Sequence, residues 1–259
     1  MRVHPLVIQL SQRKARGEKL AMLTAYDYPT ARLLDEAGVD MVLVGDSLGM
    51  VVLGLPDTTG VTMNMMLHHA AAARRGVKHA ALIVDLPASS YTTPDQALHN
   101  ARRLVQVGAD GVKLEGGVAV IAQVRAITSS GIGYIGHIGM LPQSVLSEGG
   151  YKKKGRKDAD AARLLDDALA LEEAGAAAIV LESMMPEVAA RISAALKIPT
   201  IGIGAGNGCD AQVLVSHDLF GAFPWFKPPF AKSHANIAQE ITRSVRNFIS
   251  SVKQDGKTK

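Results

Sequence analysis

The chain is nearly free of cysteine. Cys209 stands alone among 259 residues, so an internal disulfide and a multi-cysteine zinc site are both excluded, and a reducing intracellular setting is expected. Cys209 follows a Gly-rich turn and reads as a small filler. Aromatic residues are almost as scarce, at 4% with one tryptophan. No basic stripe interleaves with them, so a nucleic-acid partner is not expected despite the net charge of +4 and a pI near 9.2. No apolar run reaches 18 residues, the length a membrane helix needs. Residues 1–16 lack the apolar core and small-residue cleavage site of a secretion signal. A cytoplasmic globular protein is expected, and its mild positive balance suits a small anionic substrate.

Hydrophobic residues make up 47% and charged residues 20%, enough for a full core. Strand-like apolar runs fall at 20–25, 40–45, 80–85, 111–115, 133–138, 177–182, 200–204 and 213–217. They are nearly continuous rather than alternating, the mark of parallel strands buried on both faces. Helical patterns at 29–37, 94–107, 158–174 and 186–196 carry Pro near their starts or Gly past their ends. Eight strands alternating with helices in a chain of this length predict an α/β fold, a (β/α)8 TIM barrel. A doubly wound open sheet is the alternative that periodicity leaves open. No linker or composition break divides the chain, so residues 1–259 are expected to form a single domain, with a short leading helix at 5–14, a closing helix at 233–253 and a polar tail at 254–259.

Four of the apolar runs end in an acid. Met41-Val42-Leu43-Val44 leads to Gly45-Asp46-Ser47, Leu82-Ile83-Val84 to Asp85, Gly111-Val112-Lys113-Leu114 to Glu115, and Ile179-Val180-Leu181 to Glu182. A barrel gathers the carboxyl ends of its strands on one face, where its chemistry lies, and carboxylates taken out of water need a partner. Asp46 and Asp85 are the candidate ligands of a divalent cation. Hard oxygens suit Mg2+, which keeps waters and needs one or two carboxylates plus substrate oxygens. Either aspartate alone reads as a helix or loop cap; two of them, on strands two and three, favour metal.

Lys113 and Glu115 are two apart and share a strand face. Glu115 then joins the metal cluster directly or through water. Lys113, kept charged by the surrounding acids, is expected to bind an anionic substrate rather than act as a Schiff-base nucleophile; a plain buried ion pair is the alternative. Glu182, followed by Ser183-Met184-Met185, is a carboxylate in apolar company, which predicts a raised pKa and a general base. Its bland reading is an acid at a helix N-terminus. His137, near the end of strand five, either hydrogen-bonds substrate or a neighbouring carboxylate or is a satisfied core histidine. His217 is core or supporting, and the adjacent His68 and His69 cannot share one helix face.

The run Gly202-Ile203-Gly204-Ala205-Gly206-Asn207-Gly208 lacks the spacing and the position of a dinucleotide fingerprint, and a tight turn or close backbone approach explains it better. The Gly-bounded segment 149–156 carries Lys152, Lys153, Lys154 and Arg156. Such a run is usually just solvated; the sharper expectation is a lid that attracts a polyanionic cosubstrate.

Several stretches together carry a resemblance: Thr24-Ala25-Tyr26-Asp27, Val44-Gly45-Asp46-Ser47-Leu48-Gly49-Met50, Asp85-Leu86-Pro87, Val112-Lys113-Leu114-Glu115-Gly116-Gly117, Gly136-His137-Ile138-Gly139 with Pro142-Gln143-Ser144, Gly149-Gly150-Tyr151, Leu181-Glu182, and Ile201-Gly202-Ile203-Gly204-Ala205-Gly206. In that order, over roughly residues 20–221, they resemble the ketopantoate hydroxymethyltransferase family of pantothenate biosynthesis. The resemblance implies a (β/α)8 barrel, a homodecamer and Mg2+. It implies transfer of a one-carbon unit from 5,10-methylenetetrahydrofolate to 3-methyl-2-oxobutanoate through an enolate, giving 2-dehydropantoate. On the matching positions it implies Asp46, Asp85 and Glu115 at the metal, Ser47, Asp85 and Lys113 at the keto acid, and Glu182 as proton acceptor. Ser183 stands where some relatives carry cysteine, and residues 222–230 match only loosely. Open alternatives are a Mg2+-dependent lyase or mutase of the isocitrate-lyase type, which typically uses a cysteine motif this chain lacks, a Schiff-base aldolase on Lys113, and a non-catalytic keto-acid-binding barrel.

Overall fold

The computed structural model describes residues 4–147, 149–150 and 152–255. The chain opens with α1 (Pro5–Ala15), where Pro5 sits in the first turn and the His4 ring accepts a hydrogen bond from Leu6 N at 3.2 Å. Strand and helix then alternate: β1 (Leu20–Thr24), α2 (Tyr28–Glu36), β2 (Met41–Val44), α3 (Leu48–Val51), α4 (Met63–Gly76), β3 (Ala81–Asp85), α5 (Pro94–Gln106), β4 (Gly111–Lys113), α6 (Ile121–Ser129), β5 (Gly133–Gly139), α7 (Asp158–Glu173), β6 (Ala178–Glu182), α8 (Pro186–Ala195), β7 (Thr200–Ile203) and β8 (Ala211–Leu214). The strands close into a parallel barrel in sequence order, β1 to β8, as the apolar runs predict. Helix starts are capped locally: Asp27 accepts from Thr30 N at 2.8 Å, and Thr93 caps α5 through Gln96 N at 3.2 Å.

Strands β1 to β7 match the sequence reading to within two residues at each end, and β8 does not. The difference at β8 is a register correction. The run 213–217 was expected to be strand, but Ala211 pairs with Ile201 and Gln212 with Gly202, while Ser216 already opens the short helix α9 (Ser216–Phe220). Pairing decides this, because Val213-Leu214-Val215 is as apolar at a helix entry as in a strand. The expected tail at 254–259 lies outside the described residues from 256 onward, as does Tyr151 of the basic segment.

Side chains alternate across each strand. Met22, Met41, Leu43, Ile83, Ile135, Val180, Ile201 and Val213 form one buried cluster, which Leu6 and Leu10 of α1 join. The Lys14 ammonium of α1 donates to the carbonyls of Ser193 (2.6 Å) and Ile198 (3.0 Å) and pairs with Asp210 at 3.0 Å. The leading helix is therefore a plug at the amino end of the barrel, where its short apolar face and one cation are both satisfied. The phase of the strands then determines the opposite end. Asp85 is two residues past Ile83, His137 two past Ile135 and Glu182 two past Val180, so all three turn inward with the cluster.

The chain divides into two compact units, Met1–Val213 and Leu214–Lys259. The second holds α9 and α10 (Ile237–Asp255), and Phe223 packs edge-on against Trp225 with ring centroids 5.2 Å apart. Ile237, Ile241, Val245, Phe248 and Val252 are exposed along α10, and their spacing puts them on one face. No helix among the described residues is long and apolar enough to cross a membrane.

Candidate active site

Every strand-end acid singled out above is buried or nearly so. Asp46, Asp85, Lys113, Glu115 and His137 are buried, and Glu182 and Ser47 are partly so. Asp85 and Lys113 lie opposite each other in register on β3 and β4 and pair at 3.0 Å (Lys113 Nζ to Asp85 Oδ1). The other oxygen of Asp85 accepts Asp46 N–H at 3.1 Å. One carboxylate thus fixes both the ammonium and the backbone of the loop that carries Asp46 and Ser47. The Ser47 hydroxyl meets the Tyr26 hydroxyl at 2.8 Å rather than capping α3.

His137 lies between the two halves of the site. Its Nδ1 is 3.4 Å from Lys113 Nζ and 3.5 Å from Glu115 Oε1, and its Nε2 is 3.2 Å from Glu182 Oε2. Burial, and then the charge on Lys113, hold the imidazole well below its usual pKa, so it is neutral. Since Lys113 can only donate, Nδ1 accepts and the ring proton is assigned to Nε2, facing Glu182. That Nε2 has no partner in full hydrogen-bond geometry.

Glu182 ends β6 beside a chain reversal that only glycine allows. Gly139 has φ +101°, and a Cβ there would lie 2.3 Å from the Glu182 carbonyl, which Met140 N–H reaches at 2.9 Å. Ser183, just after the acid, sits in the left-handed region at φ +46°. Its carbonyl accepts Lys154 N–H at 2.8 Å, and Met185 N–H returns to Lys154 O at 2.9 Å. The end of the basic segment is therefore docked on the strand that bears Glu182. The Gly-rich run is a turn packed on α8, with a Cβ on Gly206 (φ +79°) lying 2.7 Å from Pro186.

Electrostatically the site has an unbalanced charge. Burial raises Asp46 to about 7, helped by Asp85, and raises Glu115 well above the carboxylate range, helped by Asp46. Burial likewise takes Glu182 to about 7. For Lys113 burial opposes the charge, but Asp85, Asp46 and Glu115 outweigh it and hold the pKa above the usual lysine value. Four acids share one permanent cation. Among the described residues no group of three or more His, Cys, Asp or Glu side chains forms a ready-made metal cage.

Sequence reading missed the groups that hold these acids in place. Gln143 donates from its backbone N–H to Glu115 Oε2 (3.0 Å) and from Nε2 to Asp46 Oδ2 (2.7 Å) and Leu86 O (3.0 Å). The Tyr91 hydroxyl donates to Gln143 Oε1 at 2.5 Å. Gln143 stood inside a recognised motif, but no pattern signalled its partners.

A closed parallel barrel with acids and a lysine gathered at the carboxyl ends of its strands defines a (β/α)8 enzyme. Its fold is shared by phosphonopyruvate hydrolase in complex with oxalate and Mg++ (TM-score 0.64, 14% identity, 97% of this chain and 88% of that one) and by 2,3-dimethylmalate lyase (TM-score 0.60, 17% identity, 99% and 89%). The family model for ketopantoate hydroxymethyltransferase matches residues 6–256. The 3-methyl-2-oxobutanoate hydroxymethyltransferase of Moorella thermoacetica is 51% identical over 249 residues, covering 95% of this chain and 92% of that protein. That of Syntrophus aciditrophicus is 52% identical over 242 residues, covering 93% and 89%. The chain belongs to the ketopantoate hydroxymethyltransferase family.

Proposed function

We propose that this enzyme moves a one-carbon unit from 5,10-methylenetetrahydrofolate to 3-methyl-2-oxobutanoate, forming 2-dehydropantoate for pantothenate biosynthesis in the cytoplasm. The observation that carries this reading is a division of labour at the barrel mouth. Glu182, an acid raised to about 7, faces the neutral His137 at 3.2 Å, while Asp85, Asp46 and Glu115 act on Lys113. Assembly into a homodecamer belongs to the same reading, supported by the exposed apolar face of α10.

The donor set fits Mg2+. Three hard carboxyl groups share one ammonium, and burial favours the protonated form of Asp46 and Glu115 until a cation takes the place of their protons. Asp46 and Asp85 would hold it, with Glu115 directly or through water. When bound, Mg2+ supplies Lewis-acid stabilisation of negative charge on the keto acid's oxygens.

The chain's own residues do the rest. Lys113, fixed by Asp85, attracts the substrate carboxylate, and the Ser47 hydroxyl, steadied by Tyr26, contacts the keto acid. Glu182 takes the C3 proton, and the electron pair of the broken C–H bond passes into the enolate. That enolate attacks the methylene carbon of the folate, forming a carbon–carbon bond as the first carbon–nitrogen bond breaks. Water then supplies the product's hydroxyl as the second carbon–nitrogen bond breaks, and the C3 proton and the water proton end on the two folate nitrogens of the released tetrahydrofolate. His137, neutral and 3.2 Å from Glu182, stands beside the base without competing for its proton.

Incubation with keto acid and methylenetetrahydrofolate, followed by mass spectrometry, tests the reaction. Product is expected with Mg2+ and not in EDTA, and no product under either condition would sink the reading. Lys113→Met should raise the KM for the keto acid roughly 10–100-fold, as expected for a lost charged contact, with a smaller change in kcat. An unaltered KM would make the lysine structural.

The raised acids also predict how metal and pH combine. Asp46 and Glu115 favour the metal-free fold while protonated; that contribution is complete below the unfolded values near 4 and is lost as pH rises, through about 7 for Asp46 and through the raised value of Glu115. Mg2+ competes with those protons. Its stabilisation should therefore be small near pH 5 and larger near pH 8; ~100 times Kd contributes about 2.7 kcal/mol and raises Tm by roughly 5–10 °C. A thermal shift that does not change with pH would contradict metal binding at these acids.

A further inference from the structure

We infer that Gln143 is a positioning residue that orients Asp46 and Glu115 toward each other and so sets how tightly the carboxylate cluster takes a divalent cation. This rests on the Mg2+ reading above. β3 lies between the strands that carry the two acids, so no strand pairing joins Asp46 to Glu115. Gln143 joins them from outside the sheet, in the turn Pro142–Ser144 that follows β5.

One residue engages one oxygen of each acid. Its backbone N–H takes Glu115 Oε2 and its side-chain amide takes Asp46 Oδ2. The second Nε2 hydrogen goes to Leu86 O, while Oε1 receives the Tyr91 hydroxyl. Both amide hydrogens are thereby used. Leu86 O removes the ambiguity of an amide that could otherwise flip, because a backbone carbonyl only accepts and so holds the NH2 group on its side, leaving Oε1 for the Tyr91 hydroxyl. The chemistry of the choice matters too. A lysine or arginine here would neutralise the acids, whereas a neutral amide orients them and leaves their charge for a cation. The residue cannot drift from the base either, since Met140, three positions earlier, is bonded through its N–H to the Glu182 carbonyl.

The test compares the full-length parent with Gln143→Met, which keeps the volume and the backbone donor, with Tyr91→Phe, and with the double variant. Mg2+ affinity is measured by calorimetry without substrate, and C3 deuterium exchange is followed separately. Gln143→Met should weaken Mg2+ about 10–100-fold, the range for groups that orient metal ligands. Tyr91→Phe should weaken it less, and the double variant should be no weaker than Gln143→Met, because the phenol acts only through the amide. Exchange should fall in proportion at sub-saturating Mg2+ and recover toward the parent at saturation, which a general loss of folding would not allow. If Gln143→Met does not fold, Tyr91→Phe alone must still show the weakened affinity. Affinity within twofold of the parent, or losses that multiply in the double variant, would overturn the inference while leaving the Mg2+ reading intact. A parent that binds no Mg2+ would instead remove that reading, and the inference with it.

Discussion

Glu182→Gln will slow exchange of the C3 proton of 3-methyl-2-oxobutanoate with solvent deuterium by about two to four orders of magnitude, the span of a lost general base. Binding of the keto acid will persist. The substitution is isosteric, and the contact that seats this strand end, Met140 N–H to the Glu182 carbonyl, is a backbone bond that glutamine retains. What disappears is a carboxylate raised by burial to about 7. In the parent at saturating Mg2+, exchange should therefore climb with pH through about 7 and level off, because only the deprotonated acid accepts a proton. In the variant the residual rate should lack that step. Parental exchange in Glu182→Gln would remove Glu182 as the base.

Asp85→Ala will act on both stability and metal. Asp85 is the ion-pair partner of Lys113 at 3.0 Å, both side chains are buried, and its second oxygen holds Asp46 N–H. Removing one member of a buried pair strands the other charge, which costs about 3–5 kcal/mol and lowers Tm by roughly 6–20 °C in a chain of this size. The thermal shift on adding Mg2+ should vanish at the same time. Combining Asp85→Ala with Lys113→Met should recover much of the lost stability, since no charge is then stranded, but none of the Mg2+ response. Full stability in Asp85→Ala alone would mean that Lys113 does not depend on this partner.

The acids of the site were legible because two simple periodicities coincide. Apolar runs buried on both faces identify parallel strands, and the alternation of side chains then determines which strand-end residues turn inward with Ile83, Ile135 and Val180. Asp85, His137 and Glu182 follow from that phase. Where local pattern and pairing diverge, the pattern fails, as at 213–217: Val213-Leu214-Val215 is equally apolar on either side of the strand end, and only the match of Ala211 to Ile201 locates β8. The supporting amides and hydroxyls were invisible for a different reason. Gln143 is 97 positions from Asp46 and 52 from Tyr91, so its role exists only after the barrel closes. His137 was left open between substrate, neighbouring carboxylate and core. It packs against Lys113, Glu115 and Glu182 together, a position that no single strand pattern specifies. The keto acid and the folate came from the resemblance and not from spacing or composition.

The most direct measurement is deuterium exchange at C3 of 3-methyl-2-oxobutanoate, followed by NMR with Mg2+ and with EDTA, before any folate is present. Exchange that appears with Mg2+ and is lost in EDTA is the expected result, since the proposed mechanism assigns the enolising half of the reaction to Glu182 and the carboxylate cluster. Exchange that stays absent with Mg2+, and remains absent once methylenetetrahydrofolate is added, would contradict it.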